Sequence, residues 1–306
     1  MTAPALTLRD LRKRYERGGP WALDGLSCSF PRGAISGLVG PNGAGKTTLF
    51  SAVAGYLQLQ GGTVDILGEG PFDPFRMKGR FGMLPQDATL DLRLTPTVFL
   101  RGMARLQGLG RDAAEAAAAV AIAAVNLSDR ASDRVGSLSH GMRRRLAVAS
   151  ALVGEPELIV LDEPTAGLDP KEASSLRGVL MGLRGRASLI VSSHNLVELE
   201  RICDHVVLIE AGRCLGQGTI EALTSRGVEE TWTLGPGDVP LAALQAALPD
   251  HAFELVTQTL VHRAPTEQHL DAGSVVIAGQ LAAAAVPIRG VRRGRSLEES
   301  YLERTR

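Results

Sequence analysis

Cysteine is scarce in this 306-residue chain: Cys28, Cys203 and Cys214 are all there is, and they form no C-x-x-C pair and no metal-ligand spacing. An odd, sparse set excludes a disulfide-stapled secreted scaffold and a zinc module. It fits small core residues in a reducing compartment. Net charge is also missing, because 33 basic and 33 acidic residues cancel. That argues against a dedicated basic footprint, so no nucleic-acid partner is expected. No apolar stretch follows the start, so no signal peptide is expected. The longest apolar run, Ala116 to Val125, is too short and too alanine-rich to cross a bilayer. A cytosolic chain is expected, and any work at a membrane needs a partner that supplies the membrane part. Internal repeats and low-complexity tracts are absent as well.

What is present is concentrated in one stretch, Gly40-Pro41-Asn42-Gly43-Ala44-Gly45-Lys46-Thr47. It fits G-x-x-x-x-G-K-[ST], the phosphate-binding loop. Ala34 to Val39 reads as an apolar strand before it and Lys46 to Tyr56 as a helix after it, the context polyphosphate binding requires. Backbone N–H groups of such a turn point inward, and the helix N-terminus adds positive partial charge. Glycines admit close approach of the main chain to phosphate. Lys46 is placed to reach the β- and γ-phosphates, and the Thr47 hydroxyl, followed by Thr48, to hold Mg²⁺.

The rest of the chain alternates strand and helix. Strands are expected at Leu6–Leu11, Leu26–Phe30, Thr63–Leu67, Arg80–Leu84, Leu158–Leu161, Leu189–Ser193 and His205–Ile209. Helical pattern covers Thr97–Val125, Leu138–Val153 and Pro170–Leu183. This predicts an α/β fold with a mostly parallel sheet covered on both sides, and a helical insertion at about 88–155. Near Gly216 to Gly227 the character changes. The expected division is a domain at 1–220 and a small α+β domain at 221–306. The latter reads β-α-β-β-α-β-α, with strands at Thr231–Leu234, across Phe253–His262, at Ser274–Ala278 and at Ile288–Val291. Its helices are expected at Leu241–Leu248, Gln280–Ala285 and Leu297–Arg304.

Leu158-Ile159-Val160-Leu161 ends in Asp162-Glu163. A buried strand that delivers two carboxylates downstream of a phosphate loop suits a Mg²⁺ shell at Asp162 and a water-orienting Glu163. Ser139, with Gly141 two residues on, opens the next helix upstream. A Ser and a Gly there can serve an anion or simply cap the helix.

Leu138-Ser139-His140-Gly141-Met142 closely resembles the LSGGQ signature of the ATP-binding cassette (ABC) superfamily. The family's other motifs appear in order: Gln86 after a strand, Ala166-Gly167-Leu168-Asp169 as the D-loop, and His194 as the switch histidine. Tyr15 sits where the family stacks an aromatic on adenine. The match covers about residues 5–220 and implies a P-loop NTPase core. It also implies ATP and Mg²⁺ as ligands: the phosphate loop, Tyr15, Thr48, Ser139 and Gly141 on the nucleotide, Thr47, Gln86 and Asp162 at the metal. Glu163, His194, Lys46 and Gln86 are the catalytic set. His140 and Met142 depart from the signature, and His140 is read as a spectator.

The resemblance further implies two chains, expected as a homodimer, with each ATP between the phosphate loop of one and the signature of the other. Integral membrane permease subunits are the expected partners, with the chain peripheral at the cytoplasmic face of the membrane. Ser296-Leu297-Glu298-Glu299-Ser300-Tyr301-Leu302 resembles the terminal element of cassettes paired with ABC-2-type exporters. An importer ATPase, a soluble cassette acting on nucleic acid or ribosomes, and a catalytically inactive scaffold are the alternatives.

Overall fold

The computed structural model describes residues 3–224, 229–294 and 297–304. The chain divides into two compact units, Met1–Gly218 and Thr219–Arg306. The first unit is built on a six-stranded sheet. Its strands are β3 (Ile35–Val39), β5 (Phe81–Leu84), β6 (Leu158–Leu161), β7 (Ser188–Ser193), β8 (His205–Glu210) and β9 (Arg213–Thr219), in the order β5-β6-β7-β3-β8-β9. Every residue of β3, β6 and β7 is buried, as strands covered on both faces must be. β5, β6, β7, β3 and β8 run parallel, with Val39 opposite Ser193, Leu161 opposite Val191 and Leu84 opposite Leu161. Their C-terminal ends therefore share one edge, and the loops that follow converge there, as in other open parallel sheets.

A second, antiparallel sheet pairs β1 (Leu6–Lys13) with β2 (Leu23–Phe30) on one side and β4 (Gly61–Ile66) on the other. One core joins the two sheets and includes Phe30 and Phe50, both fully buried. Truncating either to alanine is expected to cost about 3–5 kcal/mol.

The helical pattern expected over Thr97–Val125 is two helices, α2 (Pro96–Leu106) and α3 (Arg111–Ala124). The Thr95 hydroxyl caps α2 by accepting from Val98 N at 3.3 Å. The break falls at Gly108, whose φ of 80° ends one helix, and Gly110, which precedes the next. The strand β9 went unrecognised in the sequence because its Gly-rich stretch carries little apolar alternation.

In the second unit, β10 (Glu229–Leu234), β11 (Ala252–Val256), β12 (Thr259–Arg263) and β13 (Ile288–Arg293) form an antiparallel sheet in the order β11-β12-β10-β13. The strand expected at Ser274–Ala278 is wrong: those residues lie within α9 (Glu267–Ala283). Thr266 caps that helix, and Leu270, Ile277 and Leu281 are its buried stripe. That packing overrides the β-branched run Val275-Val276-Ile277.

Against α9 stands a buried imidazole pair, with His251 Nδ1 2.7 Å from His262 Nε2. Glu230 Oε2 lies 3.8 Å from His262 Nδ1 and accepts from Ser274 Oγ, while Arg293 donates to Oε1. Gly273 is the reason the helix comes this close, because a Cβ there would sit 2.9 Å from both rings. The terminal helix α10 (Leu297–Arg304) buries Leu297, and Ser300 donates to Leu223 O at 2.7 Å. Leu302 stays half exposed. Ser296, the first residue of the terminal motif, lies outside the described residues, as does Val228.

Candidate functional site

The phosphate-loop sequence bridges β3 and α1 (Lys46–Val53) at the converging edge of the parallel sheet. Two of its glycines answer to packing rather than to open space. A Cβ on Gly40 would meet Ile209 O at 2.3 Å, and one on Gly45, at φ 105°, would meet Ala22 O at 2.4 Å. Any other residue at either position would push the loop off the strands beneath it.

A cleft of about 560 Å³ opens over the loop. Pro41, Asn42, Gly43, Gly45, Lys46, Thr47 and Thr48 line one wall, and Tyr15, Gln86, Glu163, Ala166 and His194 line the rest. Gly40 and Ala44 are buried in the loop's inner side. Tyr15 is largely exposed, with its hydroxyl 3.0 Å from Thr48 Oγ1. Gln86 is exposed on the loop after β5, and Thr47 is exposed at the start of α1.

Lys46 is 6% exposed and donates to Gly40 O at 2.8 Å and Pro41 O at 3.3 Å. Its ammonium also stands 3.4 Å from Glu163 Oε1. The other oxygen of Glu163, Oε2, is 3.0 Å from His194 Nδ1. A carboxylate only accepts, so Nδ1 is the donor in this pair. Lys46, Glu163 and His194 thus form one continuous polar chain from the phosphate loop to the end of β7.

Glu163 itself is held in the left-handed region, at φ 48°. For a residue with a Cβ this conformation costs about 1–3 kcal/mol unless its surroundings impose it. Two side chains do so. Its N–H donates to Ser192 Oγ at 2.8 Å, and its carbonyl accepts from Arg144 at 2.7 Å. Ser192 in turn donates to Asp162 Oδ1 at 2.5 Å. Arg144 also donates to Pro164 O at 2.8 Å and Asp162 O at 3.3 Å. Burial works against the Arg144 charge and lowers its pKa, with Asp162 and Glu163 opposing that shift.

Asp162 is fully buried, and its Oδ2 has no hydrogen-bond partner among the described residues. A buried carboxylate oxygen left in this way fits a hard cation or its bound water. The donor set at hand, one carboxylate with the Thr47 hydroxyl and the Gln86 carbonyl as neutral oxygens, has the chemistry of a Mg²⁺ site completed by phosphate and water.

Ser139 and Gly141 lie apart from the cleft lining, at the start of α4 (His140–Leu152). Ser139 caps that helix by accepting from Met142 N at 3.2 Å. His140 Nε2 faces the Gly167 turn, 3.7 Å from where a Cβ at 167 would stand. The cap and the cleft are thus two separate places in one chain.

Ser192, Arg144 and Glu172 went unnoticed in the sequence. Ser192-Ser193 at the end of an apolar strand was a usable signal, since polar side chains there must find buried partners. Arg144 sits in Arg143-Arg144-Arg145, and spacing alone does not say which of the three turns inward. Glu172, which meets the start of α4, reads as an ordinary first-turn acid of α5 (Pro170–Met181).

The profile of the ABC transporter family matches residues 23–166. The Nod factor export ATP-binding protein I of Ralstonia nicotianae is 34% identical over 309 aligned positions, covering 99% of this chain and 94% of that protein. The protein of the same name from Burkholderia orbicola is 35% identical, covering 85% and 86%. The daunorubicin resistance ATP-binding protein DrrA3 of Streptomyces coeruleorubidus is 32% identical, covering 90% and 88%. Among solved structures, cbiO1 of Clostridium perfringens, part of the ABC transporter complex cbiONQ, superposes with a TM-score of 0.64 at 27% identity, covering 72% of this chain and 90% of its own. An ATP-binding subunit of another ABC transporter gives 0.62 at 28% identity, covering 72% and 91%. With a loop, cleft and sheet edge of this form and relatives of this length, the chain belongs to the ABC transporter family as an ATP-binding cassette ATPase.

Proposed function

We propose that this chain is the ATPase subunit of an exporter, and that two copies close on two ATP molecules to drive a separate permease. The observation that carries the reading is the polar chain Lys46–Glu163–His194 across the cleft. A cation, a carboxylate and an imidazole in mutual contact beside a phosphate loop suit a γ-phosphate and its attacking water. Lys46 and the loop N–H groups would hold the β- and γ-phosphates, with Tyr15 against the adenine and Thr48 beside it. Glu163 would orient the water, and His194 would contact the γ-phosphate from the far side. Thr47, Gln86 and Asp162 would hold Mg²⁺, which supplies charge neutralisation on the phosphate oxygens. Positioning and fixed charge are the main levers in such a transfer.

Ser139 and Gly141 lie outside their own chain's cleft, which supports their use on the nucleotide of a second copy. Among the described residues no helix is long and apolar enough to cross a membrane. The reading puts the permease on a separate chain and the action at the cytoplasmic face of the membrane. The export and resistance relatives support outward transport over import. The accessory domain, proposed at 221–306, would serve assembly rather than chemistry, since the proposed site residues end at His194. Lys46→Ala tests the assignment. Mg²⁺-dependent ATP turnover should fall by at least tenfold, and turnover equal to the parent's refutes the site.

A further inference from the structure

The first turn of α4 already holds an anion from its own chain. Glu172, in the first turn of α5, reaches across so that its Oε1 accepts from Gly141 N at 3.0 Å and from Ser139 Oγ at 3.4 Å. These are the two donors that the proposed sandwich assigns to the partner's nucleotide. The other donors of the turn do not replace them, because Met142 N is satisfied by the Ser139 cap. Space is as tight as the hydrogen bonding. A Cβ on Gly141 would lie 2.3 Å from the Glu172 carboxyl carbon, so the carboxylate rests on the glycine itself. The α5 N-terminus that positions Glu172 is firmly built, since Asp169 accepts from both Lys171 N at 2.9 Å and Glu172 N at 2.8 Å.

We propose that Glu172 is an intrachain stand-in for phosphate, which occupies the signature donors and must leave them before two chains can close on ATP. The proposal rests on the sandwich reading above. A phosphate oxygen that bonded Gly141 N–H and Ser139 Oγ would take the place of Oε1, and two anions cannot share those donors. Glu172 is only half buried, so its side chain can swing to solvent. Closing then selects the chains in which it has swung out, and the ATP needed for dimerisation rises by the inverse of that fraction. Glu172 does not line the ATP cleft of its own chain, so ATP binding to a single chain should not sense it. It is a positioning residue that sets the threshold for closure.

The test uses the full chain carrying Glu163→Gln, in which closed dimers should accumulate, with light scattering against ATP concentration and a fluorescent ATP analogue for affinity of the single chain. Adding Glu172→Ala should lower the ATP concentration for half-maximal dimerisation by about tenfold, the lower end of what losing a hydrogen bond to a charged group is worth. Glu172→Gln keeps the acceptor and the fold but not the charge, and should lower it by about threefold. Analogue affinity of the single chain should stay unchanged in both. A midpoint that is unmoved or raised in both variants overturns the proposal, because Glu172 would then merely brace the loop. If the Glu163→Gln parent binds the analogue but never dimerises, the sandwich reading itself fails, and this inference falls with it.

Discussion

Ser192→Ala is the most informative single change outside the phosphate loop. The hydroxyl is fully buried, donates to Asp162 Oδ1 and accepts from Glu163 N–H. Removing it deletes a hydrogen bond to a carboxylate, worth about 1.5–3 kcal/mol, and orphans a buried N–H at about 1–3 kcal/mol. The sum, about 2.5–6 kcal/mol, is a large share of a domain's total stability. For a unit of this size it should lower the melting temperature by about 10 °C. Activity should fall further than stability explains. Glu163 loses one of the two contacts that hold it at positive φ, and its carboxylate then drifts from Lys46 and His194. Turnover measured well below the melting transition should drop at least tenfold, while nucleotide affinity stays within about threefold. Ser192→Thr retains the hydroxyl, with one extra methyl to accommodate, and should recover turnover. Differential scanning calorimetry and steady-state ATPase assays on the three proteins decide the matter. An alanine variant that melts within about 1 °C of the parent and turns over normally would refute the claim that Ser192 holds Glu163 in place.

Three further outcomes are expected. Glu163→Gln should bind ATP, hydrolyse it poorly and accumulate as a dimer, and adding Ser139→Arg should abolish that dimer in light scattering. Truncation before Val228 should leave nucleotide affinity intact while reducing co-purification with the permease; a folded, truncated chain unable to bind ATP would contradict the modular reading. The imidazole pair gives the accessory unit a pH-dependent stability. Burial lowers the pKa of His251, helped by His269, and lowers that of His262, helped by His251 and opposed by Glu230. The neutral rings belong to the folded form, so their contribution is complete above the ordinary histidine value of about 6.5 and is lost as pH falls through the lowered folded values. Urea unfolding followed by Trp232 fluorescence in a Trp21→Phe background should show this loss, and His251→Gln with His262→Gln should flatten it.

Local chemistry made the core of the site legible. A glycine-rich loop between an apolar strand and a helix, and an apolar strand ending in two acids, are contiguous words in the sequence, and the sheet simply brings their ends together. What stayed hidden depends on partners far away in the chain. Nothing near Glu172 says that it meets Gly141, 31 residues earlier. The misread segment Ser274–Ala278 shows the same limit from the other side. Its β-branched residues favour a strand locally, and only the cap at Thr266 and the buried stripe of α9 decide for a helix. The split of the Thr97–Val125 pattern was, by contrast, written locally, in Gly108 and Gly110.

Arg144 grips the Asp162–Pro164 turn through hydrogen bonds to three backbone carbonyls. A carbonyl is the same whatever residue bears it. The hydrogen bonds therefore persist whatever side chains stand at those positions, and only the charge of Arg144 senses the two carboxylates. A hydrogen bond to a carbonyl does not itself require the two positions to change together. The arginine thus joins helix α4 to the Asp162–Pro164 turn through main-chain atoms alone as its hydrogen-bond acceptors.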